Sequence, residues 1–299
     1  MKSSVLTIGT FDGVHRGHQE IIRKTCALAK TQGSIPTAIT FEIPPRLFFF
    51  PSLEPSLLNT VEEKGHLLKS DGIGKVIVMR FNRAFAEISA LDFFKKIIVS
   101  KYRARALVVG YNFGFGKNRE GDTRFLEKIC REYGIPLTIV PPLCQRSVPV
   151  SSGRIREALK QNELAEANRL LGRPYFVIGK VVRGKGLGRK LGFPTANIGV
   201  PNAKIIPSGV FAVKVSMGGG RKYSGVCNVG FRPTILSGAK SKSVEANLFH
   251  FSGNLYGRRL KVEFLKKIRA EQKFAGLTEL KAQVEKDKAY ARKALGDAR

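Results

Sequence analysis

Val5-Leu6-Thr7-Ile8-Gly9-Thr10-Phe11-Asp12-Gly13-Val14-His15-Arg16-Gly17-His18 packs an apolar run, a glycine-bearing turn and the start of an amphipathic segment into one short stretch. A strand that turns through glycines directly into a helix is the opening unit of a doubly wound α/β sheet. The residues that follow repeat this alternation. Thr37-Ala38-Ile39-Thr40-Phe41, Val76-Ile77-Val78-Met79, Ala106-Leu107-Val108-Val109 and Leu137-Thr138-Ile139-Val140 are short, almost continuously apolar runs. Such runs suit parallel strands covered on both faces. Between them, residues 19–29, 61–69, 91–100 and 123–133 carry helical spacing. Sheets of this kind bind ligands at the carboxyl ends of their strands.

Residues 151–172 read as one helical stretch, with Ser151-Ser152 as its N-cap. After Gly172-Arg173-Pro174 the pattern changes. Runs at 176–182, 210–215, 223–229, 244–249 and 260–264 are strand-like and are separated by turns such as Gly218-Gly219-Gly220 and Ser252-Gly253-Asn254. Short strands without intervening helices imply an antiparallel barrel or sandwich. A charged helix over 277–294 closes the chain. The expected division is an α/β domain at 1–172 and an antiparallel β domain with a terminal helix at 173–299.

With 299 residues, 43% of them hydrophobic, the chain is long enough for two cored domains. No apolar run approaches the roughly 20 residues of a membrane span. The first residues are broken too early by glycine to form a secretory leader. Cys26, Cys130, Cys144 and Cys227 show no paired spacing, which excludes a disulfide framework and a zinc motif and implies a reducing, cytoplasmic setting. The net charge of +29 is concentrated in the second half: 22 basic against 13 acidic residues over 1–150, and 30 against 10 over 151–299. This field attracts polyanions, free nucleotides as much as nucleic acid. The cations are scattered rather than blocked, which weakens the nucleic-acid reading.

In the opening stretch, Gly9 and Gly13 allow the backbone close to a phosphate, and the helix start offers N–H groups and partial positive charge. His15 and His18, three apart, share a helix face, and Gly17 leaves room between them for a phosphate. Paired imidazoles there can donate to charge developing on a transferring phosphoryl group. The alternative is a tight turn with two incidental histidines. In the second half, Gly184-Lys185-Gly186-Leu187-Gly188-Arg189-Lys190-Leu191-Gly192-Phe193-Pro194-Thr195-Ala196-Asn197 has the composition of a phosphate clamp. It is no P-loop, since GxxxxGK[ST] is missing, and composition alone favours a flexible basic hairpin tip.

Gly9-Thr10-Phe11-Asp12-Gly13-Val14-His15-Arg16-Gly17-His18 resembles the signature of the prokaryotic bifunctional FAD synthetases, which combine riboflavin kinase and FMN adenylyltransferase. The resemblance continues through Val109 to Gly116, Val150 to Arg156, Gly188 to Asn197, Gly225 to Thr234 and Phe264 to Phe274. It covers roughly residues 1–295. It implies that riboflavin becomes FMN in the second domain and FMN becomes FAD in the first, with ATP and Mg²⁺ at both steps. By the same resemblance, His15, His18, Gly9, Phe11, Gly17, Ser152 and Arg156 handle ATP phosphates at the first site, where Asn112 shapes the flavin pocket. At the second, Gly186 and Gly188 belong to the ATP flap, Thr195 and Asn197 hold the metal, Glu245 is the general base and Arg269 touches flavin. The hard oxygens of Thr195 and Asn197 are what Mg²⁺ prefers. Phenylalanines, 20 in a chain without Trp, are the expected walls of the flavin slot.

Three departures from the family pattern stand out. Ile43-Pro44-Pro45 lacks the histidine usual there, Gly153 replaces a common threonine, and Asn247 and His250 stand where other polar groups are usual. The expected partners are small molecules only, with no specific nucleic acid and no membrane. Two rival readings are an RNA-related nucleotidyltransferase and a non-catalytic basic nucleic-acid module. The first predicts a KMSKS-like loop where residues 151–156 read SSGRIR and leaves Pro194-Thr195-Ala196-Asn197 unexplained, and the second predicts RNA affinity with steep salt dependence and no ATP turnover.

Overall fold

The computed structural model describes residues 3–50, 57–184, 188, 192–218, 220–233 and 240–297. The chain divides into two compact units. One is Met1–Glu54 with Asn59–Ser152, the other Pro55–Leu58 with Gly153–Arg299.

The first unit is built on β1 (Ser4–Ile8), β2 (Ile35–Phe41), β3 (Lys75–Met79), β4 (Ala104–Gly110) and β5 (Leu137–Val140), all parallel in the order β3-β2-β1-β4-β5. The central strands read as unbroken apolar runs because both faces are covered: every residue of β1 is buried, while the edge strand β3 exposes Lys75 and Val78. Helix Arg16–Thr31 buries Ile22, Thr25 and Ala29. Helix Val61–Ser70 starts in a reciprocal cap, Thr60 accepting from the Glu63 amide and Glu63 from the Thr60 amide. The stretch expected as a helix over 91–100 is an α turn, Ala90–Asp92, leading into a π-helix, Phe93–Lys101. Its wider turn sets Phe93, Phe94, Ile97 and Ile98 together in the core. A two-residue ladder, β6 (Cys144–Gln145) with β7 (Val148–Pro149), precedes the last residues of the unit. Strand order reverses between β1 and β4. Loops leaving the carboxyl ends of those two strands therefore border one crevice.

In the second unit the helical stretch is broken. Helix Ser152–Lys160 ends before Asn162, which sits at φ +59, and Leu164–Leu171 resumes beyond it. The Asn162 carboxamide oxygen accepts from the Ser208 amide at 2.7 Å, so a distant segment fixes the break. The β region is a closed barrel, not a sandwich. Its strands are β8 (Tyr175–Val182), β9 (Ala196–Ile198), β10 (Gly209–Met217), β11 (Lys222–Pro233), β12 (Lys240–Leu248) and β13 (Arg259–Arg269), in the order β10-β11-β12-β9-β8-β13. Closure leaves no open edge, and Val177, Phe211, Val213, Cys227, Val229, Val262 and Phe264 fill the interior without exposure. β9 begins within the glycine-rich stretch 184–197. Helix Leu277–Leu295 ends at Gly296, in the left-handed region at φ +66.

Candidate active sites

The loop after β1 is held under strain. Phe11 (φ +46) and the β-branched Val14 (φ +39) lie in the left-handed region together with Gly13. Burial holds them there: Phe11 is 1% exposed and Val14 fully buried. The Phe11 ring fills the space beside Gly9, 3.3 Å from where a Cβ would stand, and the Gly9 amide donates to the Ile39 carbonyl. Both residues thus support the loop from beneath. Its carbonyls are engaged inside the unit. Thr10 O accepts from Lys64 Nζ (3.1 Å) and Thr40 Oγ1 (3.0 Å), Phe11 O from the Val14 amide, Asp12 O from Ser152 Oγ (2.8 Å) and Val14 O from Gln19 Nε2. Satisfying these oxygens internally keeps their negative ends from a site meant for phosphates.

His15 occupies the N-cap position of helix Arg16–Thr31. The expected gap between the two imidazoles is not there. The rings of His15 and His18 stack with centroids 3.7 Å apart and planes 19° apart. Gly17 makes room for the His15 ring itself, whose atoms would lie 3.3 Å from a Cβ. Ring nitrogens donate in the ring plane, so a phosphoryl group meets the edge of the stack rather than its interior. The Phe11 ring meets His18 edge-on at 5.3 Å.

Beneath the loop is a residue the sequence reading passed over. Lys64 is 3% exposed and donates to Thr10 O and, at 2.8 Å, to Phe41 O. Its apolar-stripe position, beside Leu67 and Leu68, was visible as helical spacing. Burial pushes its ammonium down to about 8, against a smaller upward pull from Asp12. Unfolded, the group keeps its proton to the ordinary value of 10.5. Between those values the unfolded chain binds more protons, so native stability rises with pH. From pH 7 to 9.5 the parent should gain about 2 kcal/mol over Lys64→Met, measured by urea unfolding; equal gains would exclude this account of Lys64.

The loop after β4 carries Asn112, which is exposed, with its carbonyl taking an Arg119 guanidinium hydrogen bond. Phe41, at the end of β2, starts a set of edge-to-face aromatic contacts. Phe41, Phe48 and Phe85 each lie 5.3–5.7 Å from Phe81, and Phe49 is exposed at its rim. Pro44 caps the short helix Pro45–Phe49 that carries two of these rings. The Pro44 in place of the expected histidine therefore starts an aromatic-bearing turn. Ser152 begins its helix and spends its hydroxyl on Asp12 O, whereas Arg156 lies one turn further on, within the second unit.

In the barrel, antiparallel register sets Asn197 opposite Glu245, and Glu245 opposite Asn228. Opposed residues share a face. The flanking Ala196, Ile198, Cys227, Val229, Val244 and Ala246 are all buried, so the half-buried row of Asn197, Glu245 and Asn228 lies on the opposite face of the strands from the core. The Asn197 amide takes the space a side chain at Gly184 would need. Gly188 accepts from the Phe193 amide at 2.7 Å, and a Cβ there would stand 3.2 Å from the Thr195 hydroxyl. Gly186 lies outside the described residues. Asn247 Nδ2 donates to Pro194 O at 2.8 Å, tying the Thr195 segment to β12. Thus one residue that departs from the family pattern has an anchoring role here. The Cys227 thiol is pushed far up by burial, with the Glu245 charge adding to the shift, which leaves it inert.

Arg269 is fastened elsewhere than expected. Nε and Nη2 donate to the carboxylate of Asp287, itself 3% exposed, at 2.8–3.1 Å, and Gln283 donates to the same group. The pair locks the terminal helix onto β13. Among the described residues, no cluster of three His, Cys, Asp or Glu could hold a metal, and no helix is long and apolar enough to cross a membrane.

The FAD synthetase family matches residues 1–154 and the riboflavin kinase family residues 171–295. A bifunctional riboflavin kinase/FMN adenylyltransferase of Escherichia coli (strain K12) is 39% identical over 98% of this chain and 93% of its own. Its counterpart in Bacillus subtilis (strain 168) is 37% identical over 96% and 91%. A crystal structure described as a macrolide-efflux protein from Streptococcus pneumoniae superimposes with a TM-score of 0.85 at 29% identity, covering 98% of this chain and 95% of that one. With two family matches in tandem and relatives alike over nearly their full length, the chain belongs to the bifunctional riboflavin kinase/FMN adenylyltransferase family.

Proposed function

We propose that residues 173–299 phosphorylate riboflavin to FMN and residues 1–172 adenylylate FMN to FAD, each with ATP, in the cytoplasm. The observation that carries the reading is the tandem of family matches, FAD synthetase over residues 1–154 and riboflavin kinase over residues 171–295. The unpaired spacing of Cys26, Cys130, Cys144 and Cys227 supports a reducing compartment.

In the kinase step Glu245 takes the proton of the ribityl 5′-hydroxyl as that oxygen attacks the γ-phosphorus of ATP in line, and ADP departs. Asn197 and Thr195 hold oxygen donors beside Glu245 and in the adjoining loop, an all-oxygen set that fits Mg²⁺. Such a cation, completed by the ATP phosphates, would neutralise charge on the transferring group. Gly188 belongs to the flap over those phosphates.

In the adenylyl step an FMN phosphate oxygen attacks the α-phosphorus of ATP and pyrophosphate leaves. The nucleophile is already ionised, so the unit needs no general base. Donors at the edge of the His15–His18 stack stabilise the developing charge. Gly9, Phe11 and Gly17 shape the loop that presents them, and Ser152 pins it. Asn112 borders the flavin, whose ring the aromatic set around Phe81 receives. Arg269 serves flavin binding by fixing the strand end through Asp287. The RNA-directed readings leave the Asn197–Glu245 row without a purpose.

Purified protein given riboflavin, ATP and MgCl₂ should yield FMN and then FAD on chromatography of the flavins. Failure to form either product, with tRNA retained on a filter, would overturn the reading.

A further inference from the structure

Arg119 is an exposed cation held in place at a cost. It and Asn118 stand consecutively in the left-handed region, at φ +60 and φ +52, inside a single 3₁₀ turn. Neither is glycine, and such strain persists only where the surroundings over-determine it. The guanidinium lies against Gly114: a Cβ there would meet Nη2, Nε and Cζ at 2.9–3.1 Å. Nη2 donates to Asn112 O at 3.3 Å, a distance at the weak end for a hydrogen bond. Among the described residues Arg119 forms no salt bridge, although the same loop pairs Lys117 with Glu87 at 2.7 Å. Glu120, next in sequence, turns away to accept from the Ala90 amide. The backbone fixes this path, with Phe115 and Gly121 exchanging both amide hydrogen bonds and the Lys117 amide donating to Ile88 O, and the path presets the guanidinium with one long bond of its own.

The loop leaves the carboxyl end of β4, next to β1, whose own carboxyl end carries the His15–His18 loop. An arginine preset as a planar fork and lacking a carboxylate partner suits a phosphate, which it can take through two parallel N–H groups. We propose that Arg119 is a substrate-binding residue that grips a phosphate group in the adenylyl-transfer site, that of FMN or one of ATP; this rests on the adenylyltransferase reading above. Gly114 is then required so that the guanidinium can lie flat.

The test is steady-state FAD formation by the full chain, with FMN and ATP varied separately. Riboflavin phosphorylation and the melting temperature of the same preparations are followed in parallel. Arg119→Gln should raise one KM, or lower kcat, roughly tenfold to a hundredfold, while kinase activity and melting temperature hold. Gly114→Ala, which keeps the arginine but displaces it, should reproduce the defect, and Arg119→Lys should recover only part of it. A rise in KM for FMN assigns the flavin phosphate, and a rise in KM for ATP assigns the nucleotide. Parameters within twofold of the parent, or losses that track a lowered melting temperature, would overturn the proposal. If the parent protein forms no FAD from FMN, it is the adenylyltransferase reading that fails instead.

Discussion

Glu245→Gln should cut riboflavin phosphorylation by about 10²–10⁴-fold, the usual contribution of a positioned general base, and leave conversion of FMN to FAD intact. Glutamine keeps the shape and hydrogen-bonding reach of the side chain, so the row from Asn197 through Glu245 to Asn228 should stand and only the proton acceptor is lost. The residue is half-buried beyond the barrel core, and its neighbours Val244 and Ala246 carry the packing. Stability should therefore change little, which separates a chemical from a folding defect. Chromatography of reactions fed riboflavin and, separately, FMN gives both readings from one preparation. Loss of both activities in a folded variant would mean that the two reactions are not divided between the units. Full retention of FMN synthesis would remove Glu245 as the base.

His15→Ala combined with His18→Ala should act in the reverse sense, abolishing FMN-to-FAD conversion while riboflavin still becomes FMN. Removing one preorganised donor to developing charge costs about 10²–10³-fold in kcat. The stacked geometry adds a further expectation. With ring centroids 3.7 Å apart, each imidazole sets the orientation of the other, so the double variant should lose little more than either single one. Independent histidines flanking a phosphate would instead give nearly multiplicative losses. His15 is buried and packs on Gly17, so some loss of stability accompanies its truncation. Retained riboflavin phosphorylation cannot report on that unit, and the melting profile of the first unit must be compared directly. A double variant that still forms FAD at the parent rate would exclude the pair from the reaction.

Much of the first unit was legible along the chain. Its strands announce themselves because a parallel strand covered on both faces is apolar at nearly every position, as β1 is. The turn into helix Arg16–Thr31 was equally plain, since only a few residue types tolerate that path. The barrel strands showed as runs, but β9 did not. It is three residues long, Ala196–Ile198, and becomes a strand only through its pairing with β12 and β8. The break at Asn162 was hidden for a similar reason: helical periodicity continues across it, and the partner that holds it open, Ser208, is remote in sequence.

Among the proposed site residues, His15 and His18 stood out by type and spacing, whereas Thr195, Asn197 and Glu245 were indicated by the family resemblance. Their relations could not. Gly17 suggested room for a ligand, and the fold uses that room for a ring. The resemblance put Arg269 at flavin, and the fold pairs its guanidinium with Asp287 on another element. Lys64 reads as one more surface lysine until the loop and the end of β2 close over it.

By itself the sequence determined the alternation of elements, the two kinds of sheet, and the chemical groups available for phosphoryl transfer, because strand and helix periods and glycine turns are local properties. Only the tertiary structure decided which groups face one another. A one-residue slip between β9 and β12 would turn Glu245 onto the opposite face from Asn197. Register, stacking and ion pairing are fixed by hydrogen bonds and burial between segments far apart in the chain, and no local pattern encodes them.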